Sequence, residues 1–232
     1  MKKVIIGSLV RDRGWILPRF LDGVLGLDYP KDALELFFLV NDSTDDSWDI
    51  LEAFRTKHFH EYKDITIMQI SLGACKDLRS EKVRQEIIPH LAYLRNILLS
   101  KVGNNDYLFS VDCDIILSRL ALTLLLAAEK DICAGVVNNH PQGWWPNVYD
   151  QWKREPVREY PQQQVFECDV TGAIILLSQA VCRKVIYAAH VDGEDVAFCN
   201  NARMMGFSVH VNSRVNACHI LRKEDYEHED AA

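Results

Sequence analysis

Asp112 and Asp114 flank Cys113 directly after the apolar run Tyr107 to Val111. Carboxylates this close repel each other unless a cation relieves them. Magnesium and manganese take oxygen ligands from one or two carboxylates and fill their shells with phosphate oxygens and water. The same pair also reads as two solvated turn aspartates. A second polar loop, Asn41-Asp42-Ser43-Thr44-Asp45-Asp46-Ser47, follows another apolar run. Its acceptors could hold the imino and hydroxyl groups of a nucleoside. It also reads as a capped turn, with Ser47 capping a helix and Asp49 and Glu52 near its positive end. Gly193-Glu194-Asp195 precedes a helical stretch, where acidic side chains either stabilise the helix dipole or accept a proton from a hydroxyl. His219 ends the last apolar run, as a ligand beside carboxylates or as an ordinary polar residue.

These residues need elements to position them. Val4 to Val10, Leu34 to Val40, Ile65 to Ile70, Tyr107 to Val111 and Ile132 to Val137 read as strands. Between them, Ile16 to Leu25, the stretch after Ser47, Leu91 to Val102 and Leu120 to Glu129 carry helical spacing. Asp28-Tyr29-Pro30 is expected to end the first helix, and Gly103-Asn104-Asn105 the third. This alternation predicts an α/β fold with a doubly wound, mostly parallel sheet, whose ligands bind beyond the carboxyl ends of the strands. The second half is less regular. Asn138 to Gln164 is a long polar stretch. Val165 to Cys168 and Ala173 to Leu177 read as strands, Gln179 to Ala189 as a helix, and Phe207 to Val211 and Val215 to His219 as two closing strands.

The chain has 232 residues, 48% hydrophobic and 25% charged, which suits one soluble α/β domain. A net charge of -7 argues against nucleic acid as a partner. Seven cysteines, an odd number without a Cys-x-x-Cys pair, suit small buried groups in a reducing compartment, and the expectation is cytoplasmic. Arg11, Asp12 and Arg13 interrupt the N-terminal apolar run too early for a signal core, and no run is long enough to span a bilayer. Any membrane contact is therefore expected to be peripheral.

The order of motifs resembles the family-2-like glycosyltransferases with the glycosyltransferase-A fold. Ser8-Leu9-Val10-Arg11-Asp12 and Asp28-Tyr29-Pro30 are similar to that group's opening. Val40 to Ser47 is similar to its Asp-Gly-Ser-Thr-Asp loop, with Ser43 in place of glycine. Arg95-Asn96, Asp112-Cys113-Asp114 and Gly193-Glu194-Asp195 follow in the family's order. The resemblance runs from Val4 to about His219. It implies one domain over 1–219, with a nucleotide-sugar-binding half (1–114), a smaller acceptor-side and catalytic half (115–219) and a charged tail (220–232).

The resemblance implies roles as well. Asp42 would contact the nucleobase, with Ser8, Val10 and Arg11 lining the same pocket. Asp112 would sit near the donor ribose or the metal, Asp114 would ligate Mn2+ or Mg2+, and His219 would complete the shell. Asp195 would be the base that deprotonates the acceptor in an inverting transfer, with Glu194 orienting it. Arg95 would meet a carboxylate or the diphosphate, or lie on a helix surface. Trp144 or Trp145 would stack on the acceptor, with Trp152 structural. Thr171 and Gly172 would let backbone approach the acceptor, or mark a bulge. The implied partners are a UDP- or GDP-linked sugar and a carbohydrate or glycoconjugate acceptor. No Gln-x-x-Arg-Trp element is present, since Gln151-Trp152-Lys153-Arg154 has the residues but not their order, so single-sugar transfer is expected. The alternatives are a non-catalytic carbohydrate- or nucleotide-binding domain of this fold, and a sugar-phosphate nucleotidyltransferase. The latter's Gly-rich loop is poorly matched by Gly7 alone.

Overall fold

The computed structural model describes residues 1–73, 81–139, 143–150 and 155–224, with only the backbone described at 81–86. Trp152 and the neighbouring 151–154 stretch lie outside the described residues. The first half alternates as β1 (Val4–Val10), α1 (Leu17–Leu25), β2 (Leu34–Asn41), α2 (Ser47–His58), β3 (Asp64–Ile70), α3 (Glu81–Ser100) and β4 (Tyr107–Val111). β5 (Ile115–Ile116), α4 (Ala121–Ala127) and β6 (Ile132–Asn138) follow. The short antiparallel pair β7 (Tyr149–Asp150) and β8 (Glu155–Pro156) comes next, then β9 (Val165–Glu167), β10 (Ile174–Ser178), α5 (Gln179–Lys184), α6 (Glu194–Met204) and β11 (His210–His219).

The main sheet runs β3-β2-β1-β4-β10-β6-β11-β5, with β9 also on β11. β3, β2, β1 and β4 are parallel. The sheet is mixed beyond them, because β10 runs antiparallel to both β4 and β6, while β6 and β11 are parallel. Strands buried on both faces explain the continuous apolar runs. In β2, Leu36, Phe38 and Val40 enter one core with Phe20 and Leu51, while Phe37 and Leu39 enter the other with Leu94 and Leu98.

Several local expectations change in the structure. α1 stops at Leu25, and Gly26 N–H bonds back to Asp22, so the helix ends before Pro30 can restrict it. Ser47 does not cap α2: it is the first helical residue, and its N–H donates to Asp45 Oδ1 at 3.0 Å. α5 ends at Lys184 rather than near Ala189, because side chains take over the backbone groups beyond it. Asn96 accepts from Tyr187 N–H at 2.8 Å and donates to Tyr187 C=O at 2.9 Å, and Asn201 donates to Ile186 C=O. The two expected closing strands are one, β11, whose pairing with β6 shifts register between Val211 and Asn216. The long polar stretch is also anchored: Asn138 bridges Pro146, and Tyr149 bridges Val170.

Candidate active site

The loops after β1, β2 and β4 leave the same edge of the sheet and are tied together. Asp12, with a φ of 48°, accepts from Thr44 N–H at 2.7 Å, and its own N–H donates to Ser43 Oγ. Arg13 N–H donates to Ser47 Oγ at 3.0 Å and Gly14 N–H to Asp45 Oδ2 at 2.8 Å. Asp42 accepts from Ser71 Oγ and Leu72 N–H, and these two bonds hold its carboxyl below the usual range. A cavity of about 410 Å³ lies between these loops, lined by Val10, Arg11, Asp42, Arg95, Asp112 and Asp114 among others. Ser8, expected in the same pocket, is fully buried in β1 and does not line the cavity.

A second cavity, about 520 Å³, lies on the other side of the β4 end. Its walls include Tyr149, Thr171, Gly172, Glu194 and Asp195, and Asp112 and His219 line both cavities. Gly193, with a φ of 121°, starts α6 and puts Glu194 and Asp195 in its first turn. Asn147 is buried behind the wall, donating to the carbonyls of Gly135 and Gly172. Neither Trp144 nor Trp145 lines this cavity. Both are partly exposed, and the Trp145 ring N–H donates to the Tyr149 hydroxyl at 2.6 Å.

Arg95 stands between the two cavities. It is 7% exposed and donates to Glu194 Oε1 at 3.0 Å and Asp112 Oδ1 at 3.2 Å, with Asp195 Oδ1 at 4.0 Å. Its guanidinium also lies over the Tyr187 ring, which stacks on Phe198. Burial opposes its charge, and the carboxylates of Asp112, Asp195 and Glu194 more than restore it. The surface-arginine reading is therefore overturned: Arg95 is an internal counter-ion. Asp195 keeps about a third of its side chain open to the cavity. Burial raises its pKa to about 7, opposed by Arg95 and reinforced by Glu194 and Asp112. Burial likewise pushes Asp112 up against the pull of Arg95.

Asp114 is held from two sides. Its Oδ1 lies 3.1 Å from His219 Nε2, and its Oδ2 accepts from Arg13 Nε at 3.2 Å. Burial would raise its pKa, but the contacts with His219 and Arg13 outweigh burial and lower it. His219 Nδ1 lies 2.9 Å from Asn139 Oδ1, a contact that orients the ring with Nε2 towards Asp114. A separation of about 3 Å also suits two adjacent ligands around a cation with bonds of about 2.1 Å. The donor set therefore fits a small divalent cation at Asp114 and His219, whereas Asp112 is turned to Arg95. Among the described residues no group of three His, Cys, Asp or Glu side chains forms a complete cage. Substrate oxygens and water would have to supply the remaining positions. Arg13, which contacts Asp114 and lines the first cavity, was not singled out in the sequence; its only signal there was a basic residue just after the first strand.

The fold is that of the glycosyltransferase-A class. The chain superposes on GalNAc-T7, solved with UDP, GalNAc and Mn2+, with a TM-score of 0.70, 11% identity and coverage of 96% of this chain and 44% of that one. The family model described as Glycosyltransferase family 25, N-terminal domain, matches residues 1–211, and the chain belongs to this family. Human Procollagen-lysine,2-oxoglutarate 5-dioxygenase 2 is 27% identical over 242 residues, 96% of this chain and 30% of that protein. Procollagen galactosyltransferase 1 of Danio rerio is 22% identical over 236 residues, 91% of this chain and 39% of that protein. The chain thus spans 30–39% of the length of these relatives.

Proposed function

We propose that the domain moves one sugar from a nucleoside diphosphate sugar to an acceptor hydroxyl, with inversion and with a divalent cation in the donor site. The observation that carries this reading is the meeting of the two cavities at Asp112 and His219, with Asp195 on the wall of the second. Asp42, Val10 and Arg11 would hold the nucleoside, and Asp112 would face the donor sugar at the junction. Asp195 would accept the acceptor proton, with Glu194 fixed by Arg95 beside it. The acceptor oxygen bonds to the anomeric carbon as the bond to the diphosphate oxygen breaks, and the electron pair leaves with the diphosphate. A divalent cation held by Asp114 and His219 neutralises charge on the leaving diphosphate when it is bound.

The donor would be UDP- or GDP-linked, with UDP the first to test, since GalNAc-T7 was solved with UDP and a Pyrobaculum calidifontis mannosyltransferase of the same fold with GDP-Man. A relative named a procollagen galactosyltransferase favours a glycoconjugate or protein-linked acceptor. We read 1–114 as the donor half and 115–219 as the acceptor half. Cys113, Cys133, Cys182 and Cys199 are buried free thiols, which favours a reducing, cytoplasmic setting. Among the described residues no helix is long and apolar enough to cross a membrane. Contact with a membrane-linked acceptor would be peripheral.

The test is incubation with UDP- and GDP-linked sugars and a panel of hydroxyl acceptors in Mn2+, with free nucleotide measured and the anomeric product assigned by NMR. An inverted glycoside that Asp195→Asn fails to make supports the proposal. A retained product would overturn the inverting assignment. A second reading, a nucleotide- or carbohydrate-binding domain without turnover, is favoured by the incomplete cage around Asp114. It predicts nucleotide binding with no product from any acceptor.

A further inference from the structure

Arg13 is anchored at its backbone and open at its side chain. Its N–H is fixed to Ser47 Oγ and the next N–H to Asp45 Oδ2, so the turn is pinned to the second loop. A third of the side chain is exposed into the donor cavity, whereas Asp114 is only 10% exposed. The guanidinium makes one contact to a carboxylate, at 3.2 Å, and two longer ones to the carbonyls of Arg11 and Asp12, at 3.3 and 3.4 Å. Arg95, by contrast, is buried among three carboxylates and has no freedom to follow a ligand. Arg13 meets Asp114 through a single contact rather than a two-pronged fork, and the rest of its guanidinium holds only carbonyls, which leaves it available to a second anion.

Resting on the donor-site reading above, we propose that Arg13 is an exchangeable counter-ion. It pairs with Asp114 Oδ2 before the donor arrives and passes to the donor diphosphate once a divalent cation on Oδ1 and His219 neutralises the carboxylate. The logic is one of charge. The diphosphate of a nucleotide sugar carries two negative charges and gains a third as its bond to the sugar breaks. A guanidinium fork matches phosphate oxygens in pairs. The lining then keeps a cation on Asp114 at every stage and delivers an additional one to the leaving group.

The test is calorimetric and uses binding rather than turnover. Mn2+ alone, and then UDP at saturating Mn2+, are titrated into the intact protein and into Arg13→Ala and Arg13→Lys. The exchange predicts opposite shifts: Arg13→Ala binds Mn2+ alone about tenfold more tightly and UDP about tenfold more weakly. Arg13→Lys, which keeps the charge without the fork, falls between them. Unchanged or weaker Mn2+ binding in Arg13→Ala overturns the exchange, as does a fall in both affinities, the mark of a merely structural role. If the unaltered protein binds no nucleotide under either condition, the donor-site reading itself fails, and the exchange with it.

Discussion

Asp195 packs its carboxylate against Gly172: a β-carbon built at Gly172 would lie 2.1 Å from Asp195 Oδ2 and 2.6 Å from its Cγ. The glycine is therefore the space in which the proposed base sits. Gly172→Ala must push Asp195 away from the junction of the cavities. Misplacing a catalytic group by about 1 Å lowers turnover on the order of a hundredfold. Steady-state kinetics should show that loss in kcat with the donor KM little changed, since the donor cavity lies beyond Arg95.

Activity should rise with pH. Asp195 works as a base only when deprotonated, and its pKa lies near 7. Below that value kcat should fall about tenfold per pH unit, and above it the profile should flatten. A flat profile from pH 5 to 8, at about constant metal occupancy, would remove Asp195 from the proton-transfer role.

Asp195 should also limit stability. Its folded-state pKa of about 7 is above the ordinary aspartate value of 3.8, so between those values the folded chain binds more protons than the unfolded one. Stability from this group is therefore greatest at low pH and declines as pH rises towards 7. Asp195→Asn should abolish transfer yet stabilise the protein at neutral pH by about 1 kcal/mol, with a shallower decline between pH 4 and 7. Urea denaturation at several pH values measures both.

Arg95 separates a structural from a ligand role. Removing one partner from a buried ion pair costs about 3–5 kcal/mol, and Arg95 faces three carboxylates. Arg95→Met should lower unfolding free energy by about that much. A loss of donor affinity with unchanged stability would instead make Arg95 a diphosphate ligand.

How much of this was legible in the sequence depends on how local each cause is. Strands such as Leu34–Asn41 are buried on both faces, so their composition alone marks them. Asp112, Asp114 and His219 end apolar runs, and strand ends face the crevice. The true end of α5 depends on Asn96, 91 residues from Tyr187, and no local pattern announces it. The Arg13 to Asp114 pair spans 101 positions and is equally silent. Gly172 read as a close approach or a bulge; the structure gives it a neighbour, Asp195, on a different element. The resemblance put Ser8 in the turn with Arg11, but β1 runs on to Val10 and keeps Ser8 buried within the strand.

The most direct test of the account is calorimetric titration of the protein with UDP in Mn2+, then in EDTA, and again with Asp114→Asn. One bound UDP is expected, lost in EDTA and weakened at least about tenfold by Asp114→Asn. UDP binding of equal strength in all three conditions would contradict the placement of donor and metal at Asp114 and His219.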